Sequence, residues 1–397
     1  MADLTGRAPP RPVAAATPAC TGKERMLNAY RGRWSDRVAI APEFWYYYPA
    51  KVLGVDMIRF QREVPFHLAL KTTFEKFSCE GWGIAFPSIP NDRVTSRSRE
   101  RWVSEDRLEV CRAIKTPHGE LISRSLFDRH EPAWEIERPV KDLHRDLAAF
   151  EDANLPDPSG LDAREMVRAW EEVGESYLLE GWLGVPFFDF YACARQGGLE
   201  AAIIDFVENP ELFQALQEKY IAHMTAKVGV LCEKTPFESF VIGCAWSCNS
   251  LIGPAMWRRW DKPVIAAVAS EVHRHDRLLH VHFHGRCMET VADFAAIGID
   301  CVCPFERPPG GDVDGLEGLK TVERVLRGRT AMNGNVHTVQ TLIRGTPDDV
   351  RREVGEILEA FKGNPRVIVG TGDQVGRETP EENLHAMIDE AKRASRR

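Results

Sequence analysis

The second half of this chain fixes its architecture by rhythm. Helical patterns at 163–181, 198–233, 254–275, 288–297, 316–327, 346–363 and 380–394 alternate with apolar runs at 185–190, 240–246, 278–284, 300–306, 330–335 and 366–370. Repeated βα units of this length predict parallel strands with helices packed outside them. A further strand at 38–42, preceded by a short amphipathic helix at 24–37, brings the set closer to a (β/α)8 TIM barrel than to an open sheet. No GxGxxG or GxxxxGK[ST] run follows a strand, which argues against a nucleotide-binding α/β fold.

The remaining segments are read against that α/β barrel, expected as a single domain over 24–397. Residues 1–23 are rich in Pro, Ala and Thr and lack a continuous apolar core, so a disordered N-terminal extension is expected rather than a signal peptide or a transmembrane helix. From 82 to 162 the pattern shortens and alternates. Runs at 108–114 and 121–127 flank Pro117-His118-Gly119 and predict a β-hairpin, so 82–162 is expected to be a cap or insertion on the barrel. The uncharged stretch 239–257 is broken by Ser247, Asn249, Ser250 and Gly253-Pro254, which predicts a buried strand and loop rather than a membrane span. A formal charge of -8 argues against nucleic acid as a partner. Ten cysteines without CxxC spacing read as reduced thiols of a cytoplasmic protein.

The run Leu278-Leu279-His280-Val281-His282-Phe283-His284-Gly285 carries the clearest chemical signal. On a strand, residues i, i+2 and i+4 share a face, so the three imidazoles point the same way and Gly285 lets the chain turn directly after them. An HxH pair spans about 7 Å at Cα, close enough for both rings to meet one metal. A buried strand with hydrogen-bonded histidines is the structural alternative. In a (β/α)8 barrel the reacting groups gather at the C-terminal strand ends. That rule selects His282 and His284, Glu306, Asn335, Asp373, Glu43 and the turn Trp246-Ser247-Cys248-Asn249. Two imidazoles with a carboxylate suit Zn2+ or Fe2+ with positions left open, so His282, His284 and Asp373 are the expected ligands. Glu306, Glu43 and Asn335 are the expected catalytic residues. Each carboxylate has a structural alternative: Glu306 can pair with Arg307 or Arg286, and Asp373 can cap the helix after Thr379-Pro380. Cys287 would make a softer site, and His273 and His275 fit a helix end. The aromatic run Glu43-Phe44-Trp45-Tyr46-Tyr47-Tyr48 can line a pocket for a flat or apolar substrate or close a core; Phe44, Trp45, Tyr47, Phe188, Trp246 and Cys248 are the expected substrate-binding residues.

In the order of its pieces the chain resembles the uroporphyrinogen decarboxylase superfamily, whose members share a (β/α)8 barrel. More narrowly it resembles the zinc-dependent methyltransferases that work with corrinoid proteins. The matching segments are Ile252-Gly253-Pro254-Ala255-Met256-Trp257, His282-Phe283-His284-Gly285, Glu306-Arg307-Pro308-Pro309-Gly310-Gly311-Asp312, Met332-Asn333-Gly334-Asn335-Val336, Gly345-Thr346-Pro347-Asp348-Asp349-Val350, and Glu378-Thr379-Pro380-Glu381-Glu382-Asn383-Leu384. The methyltransferase branch typically binds zinc through His-x-Cys and a later Cys. His282 matches the first ligand, while His284 and Asp373 stand where the two cysteines would be. The resemblance thus implies a metal site re-tuned toward harder ligands and toward activating an oxygen atom. The decarboxylases themselves are metal-free and share an arginine-rich N-terminal signature, absent after the first strand here. The implied activity is metal-dependent transfer of a methyl group from a small O- or N-methylated substrate, aromatic ones included, to a corrinoid protein or similar acceptor. The alternatives are a hydrolase or lyase using metal-bound water on the same fold, and a non-enzymatic small-molecule-binding barrel. No membrane partner is expected, and a homodimer is compatible with the sequence.

Overall fold

A computed structural model describes residues 19–395, so the expected extension lies outside the described residues except at its end. There Thr21 already caps a helix, Gly22–Arg31, through a reciprocal box: its hydroxyl accepts from the Glu24 amide at 3.1 Å and Glu24 accepts from the Thr21 amide at 2.7 Å. This helix ends at Gly32, which takes φ 67°, rather than continuing to residue 37.

Among the described residues twelve strands follow in chain order. They are β1 (Ala39–Ala41), β2 (Trp82–Ala85), β3 (Thr95–Trp102), β4 (Arg107–Thr116), β5 (Gly119–Asp128) and β6 (Trp134–Glu137). After these come β7 (Leu178–Gly184), β8 (Ser239–Cys244), β9 (Leu278–Phe283), β10 (Cys301–Pro304), β11 (Ala331–Val336) and β12 (Val367–Thr371). Eight of them form one all-parallel sheet in the order β1-β12-β11-β10-β9-β8-β7-β2. Most of its residues are buried on both faces, as a parallel sheet wrapped in helices requires. The sheet is curled. Ala39 and Ala41 of β1, Trp82 and Ile84 of β2, and Val241, Cys303, Ala331 and Ile368 between them meet in one apolar cluster. Met26, Leu27 and Tyr30 of the first helix join that cluster and close the N-terminal end of the strands.

The two end strands of the curl, β1 and β2, share no ladder among the described residues. Glu80, just ahead of β2, spans the seam. Its carboxylate accepts from the Ile40 amide at 2.9 Å and from Arg37 at 2.5 and 2.8 Å.

β3 to β6 make a separate antiparallel sheet, with the expected hairpin at its centre as β4 and β5 around Pro117-His118. One boundary is corrected: Trp82–Ala85 is a strand of the main sheet, paired with β7, so any insertion begins after it. A second correction concerns the strand expected at 185–190 and the helix expected to run to 181. The strand is β7, Leu178–Gly184, and Phe187–Ala192 is a short helix. Two features disguise β7. Glu180 breaks its apolar pattern, and Gly181 is needed because a Cβ there would lie 2.5 Å from the Phe240 ring. Among the described residues no helix is long and apolar enough to cross a membrane.

Candidate metal and acid–base centre

At the C-terminal end of β9 the three histidines line the inner face of the curl, as period two demands. His282 Nε2 and His284 Nε2 lie 2.7 Å apart, with the rings nearly perpendicular. Behind each, Nδ1 is occupied. His284 Nδ1 lies 2.8 Å from Glu306 Oε1, the same oxygen that accepts from the Gly285 amide at 3.0 Å. His282 Nδ1 lies 3.0 Å from Cys303 Sγ, a neighbour brought in by the register that pairs Cys303 with His282. His280 is fully buried and lies 3.0 Å from the same sulfur.

Glu306 is carried past the end of β10 by Phe305, which takes φ 55°, and by a packed glycine. A Cβ on Gly311 would lie 2.1 Å from the Glu306 carbonyl oxygen. Asn335, at the end of β11, donates from Nδ2 to the Phe305 carbonyl at 2.9 Å, so it holds the turn that presents Glu306 rather than facing the histidines. Glu43 follows β1 and is tied to the turn after β12: its amide donates to Thr371 Oγ1 at 3.0 Å and its carbonyl accepts from Val375 at 2.9 Å. Its carboxylate stands 3.8 Å from His282 Nδ1. Asp373 accepts from the Gln374 amide at 2.6 Å and reaches His284 through its charge; among the described residues no hydrogen bond joins it to either histidine.

The electrostatics follow from packing three carboxylates and two imidazoles into one space, in which Glu43 is buried and the other four groups are partly buried. Burial pushes the Glu43 carboxyl up to about 8, aided by the charges of Asp373 and Glu306 and opposed by His284. Burial also raises Asp373, against the pull of His284. Burial disfavours protonation of His284, yet its hydrogen bond to Glu306 and the charges of Asp373 and Glu43 outweigh it and hold the imidazolium to about 9. His282 is lowered well below its ordinary value by burial and by its two histidine neighbours. At neutral pH the centre therefore holds a cationic His284 donating through both nitrogens, a neutral His282 and a protonated Glu43.

Two donor sets meet at the His282 ring. On one side its Nε2 converges with that of His284. On the other, Nδ1 lies with Glu43 and Cys303, one ligand atom of each within 4.8 Å of the others. The donors of both sets suit Zn2+ or Fe2+, the thiol favouring zinc. The expected set of His282, His284 and Asp373 is thus assembled closely only for the histidines.

The expected aromatic pocket is largely core. Phe44 is buried against Phe74, Phe77 and Tyr48, and Phe188 against Phe206 at 5.2 Å. Cys248 is buried too. Tyr47 turns outward, its hydroxyl 2.8 Å from Glu131, and Trp246 is half-buried beneath Arg138 at 4.7 Å. Trp45 packs on Trp82 at 5.6 Å, and Trp82 is the ring that meets His282, also at 5.6 Å. A cavity of about 250 Å³ opens beside the centre, lined by Glu306, Asp373, Arg307, Gly310, His337 and Gln340. Sequence reasoning missed Cys303, Glu180 and Trp82. The signal for Cys303 was the Cys301-Val302-Cys303 alternation, which gains meaning only once β10 is set beside β9.

Comparison with known proteins places this geometry in a lineage. The chain is 27% identical over 236 residues to a uroporphyrinogen decarboxylase of Xanthomonas axonopodis pv. citri (strain 306), covering 55% of this chain and 61% of that protein. It is 24% identical over 249 residues to one of Geobacter sp. (strain M21), covering 60% and 66%. The chain thus spans less than two thirds of the length of either relative. Among solved structures, a methyltransferase from Methanosarcina mazei superposes over 94% of this chain and 99% of its own with a TM-score of 0.62 at 16% identity, a likeness of fold. The family model for uroporphyrinogen decarboxylase (URO-D) matches residues 135–394, more than half of the chain, and the chain therefore belongs to that family.

Proposed function

We propose that this chain is a metal-dependent methyltransferase that removes a methyl group from a small O- or N-methylated substrate and passes it to a corrinoid protein. One observation carries the reading: two Nε2 atoms converge at 2.7 Å while each Nδ1 is held from behind, by Glu306 and by Cys303. The anchoring of the second nitrogen by an outer partner is a feature shared with metal-binding imidazoles, and the two Nε2 atoms, hydrogen-bonded at 2.7 Å in the metal-free centre, would have to part by about half an ångström to hold one ion. In this reading His282, His284 and Asp373 hold Zn2+ or Fe2+, and a bound ion supplies Lewis acidity toward a substrate oxygen or nitrogen.

The chain's own groups do the rest. Glu306 orients His284. The cavity of about 250 Å³ admits a small substrate between Glu306 and Asp373. Glu43, whose carboxyl is pushed up by burial in the metal-free centre, is the acid that would give a proton to the heteroatom that keeps the bonding electron pair as the methyl group departs. Three carboxylates at this strand end, with Arg307 engaged by Glu353 and Glu356, make a poor grip for a polyanionic porphyrinogen. That balance favours methyl transfer over decarboxylation despite the names of the relatives.

The test is metal analysis of the wild type beside His284→Ala, followed by transfer assays on methylated compounds with a corrinoid acceptor. About one equivalent of metal, lost in a folded variant together with transfer, supports the reading. Turnover that needs no methyl acceptor would reassign the site to a hydrolase or lyase. Absence of metal after incubation with zinc or iron(II) would sink the metal mechanism.

A further inference from the structure

Beneath the paired histidines the Cys303 contact continues into buried polar groups, Ser239, Glu180 and His280, that the proposed reaction does not itself use. Ser239 Oγ lies 2.5 Å from Glu180 Oε1, and Glu180 Oε2 lies 2.8 Å from His280 Nδ1. His280 Nε2 lies 3.0 Å from Cys303 Sγ, and that sulfur lies 3.0 Å from His282 Nδ1. Ser239, Glu180 and His280 are completely buried and Cys303 is 1% exposed, so the groups must satisfy one another. The rings of Tyr30 and Trp82, centred 5.6 and 4.8 Å from that of His280, fix it in place.

We propose that Glu180, His280 and Cys303 are positioning residues that set the tautomer of His282, placing hydrogen on Nδ1 and leaving Nε2 bare toward the mouth of the sheet. The polarity follows from counting hydrogens. The serine hydroxyl donates to Glu180, whose other oxygen accepts from His280 Nδ1–H. His280 Nε2 then holds a lone pair, and the hydrogen in the gap to Cys303 is the thiol's. With its hydrogen spent there, the sulfur offers His282 only a lone pair, so His282 Nδ1 must donate. A carboxylate–histidine pair usually acts on its own metal; here a thiol and a second imidazole extend it by two links. The consequence is that His282 has one nitrogen available for a ligand, the one facing His284. The Glu43–His282–Cys303 side is closed, and Cys303 is a hydrogen-bond link rather than a ligand. This deepens the metal reading given above, but the tautomer itself does not depend on it.

The experiment is long-range proton–nitrogen NMR on metal-free, nitrogen-15 histidine-labelled protein at neutral pH, with His282 assigned by its absence in His282→Gln. The expected wild-type spectrum shows His282 protonated at Nδ1 and bare at Nε2; the opposite tautomer overturns the inference. Cys303→Ser, which keeps a donor and an acceptor, should preserve the tautomer, and Cys303→Ala should lose the preference once the pH is raised above about 9, where His284 no longer donates to His282 Nε2 as an imidazolium. Zinc competition should then find Cys303→Ala weaker by about 10- to 100-fold and Cys303→Ser close to wild type. A thiolate-to-metal charge-transfer band in the cobalt(II)-loaded wild type would make Cys303 a ligand and overturn the inference. A protein that takes up no metal yet shows His282 protonated at Nδ1 would remove the metal reading and keep this one.

Discussion

Glu43→Gln should remove a pH dependence that the wild type carries in its metal-free form. The carboxyl is 8% exposed and lies among Asp373, Glu306 and His284, and its folded value of about 8 compares with 4.5 for an ordinary glutamate. A folded value above the unfolded one stabilises fully below the unfolded value and is lost as pH rises through the folded one. Between pH 4.5 and 8 the loss runs at about 1.4 kcal/mol per pH unit. His284, with a folded value of about 9 against 6.5, follows the same sign but begins its loss only above 6.5. The window from pH 4.5 to 6.5 therefore excludes most of the His284 contribution, and the difference between wild type and Glu43→Gln cancels that of other buried carboxylates such as Asp189 and Asp373. Across it the wild type should lose about 2 kcal/mol more than Glu43→Gln, because the slope reaches its full value only above the unfolded midpoint. Urea unfolding of chelator-treated protein at three pH values across that window measures the difference. Parallel stability curves for the two proteins would refute the claim that Glu43 is held protonated by its surroundings.

Three further outcomes test the site. Glu306→Gln removes the anion that holds His284 charged, and the titration midpoint of His284, followed by NMR in metal-free protein, should fall from about 9 by about one to three pH units; an unmoved midpoint would leave the carboxylate irrelevant to the imidazolium. Asn335→Ala leaves the Phe305 carbonyl without its donor, so it should cost about 1–3 kcal/mol in thermal or urea unfolding and lower the metal content as Glu306 loses its support. Gly311→Ala drives a Cβ to 2.1 Å from the Glu306 carbonyl oxygen and should abolish transfer activity, whereas Gly355→Ala, where a Cβ meets nothing within 4 Å, should leave it intact.

Much of the fold was legible because parallel strands wrapped in helices leave a repeating apolar signature. The strands from β8 onward fall close to where the sequence puts them, each a short apolar run between amphipathic helices. β7 was not legible, since its glutamate and glycines answer to Ser239, His280 and Phe240, residues distant in sequence that enter only through tertiary pairing. β2 was hidden for a related reason: four residues beside a long antiparallel excursion carry too little pattern to be separated from it. At the site, period two brought the histidines to one face and the strand-end rule reached Glu306 and Glu43. Side-chain destinations were another matter. The sequence pattern cannot tell that Asn335 serves the Phe305 carbonyl, or that Phe44 and Phe188 turn into the core, because those choices are made by the neighbours each strand end acquires.

The seam at Glu80 gives the curled sheet a clasp. Elsewhere neighbouring strands are laced by successive backbone bonds, which can fray one at a time. Between the two end strands one carboxylate, 3% exposed, gathers the Ile40 amide, Arg37 and Arg25, and releasing it frees all three together. Among the described residues this is the place where the ring of strands can part without unlacing a ladder. The seam is thus fastened by one carboxylate above the apolar packing of Ala39, Ala41, Trp82 and Ile84, side chains in place of a ladder, and the first helix and β1 are held to β2 through the same group.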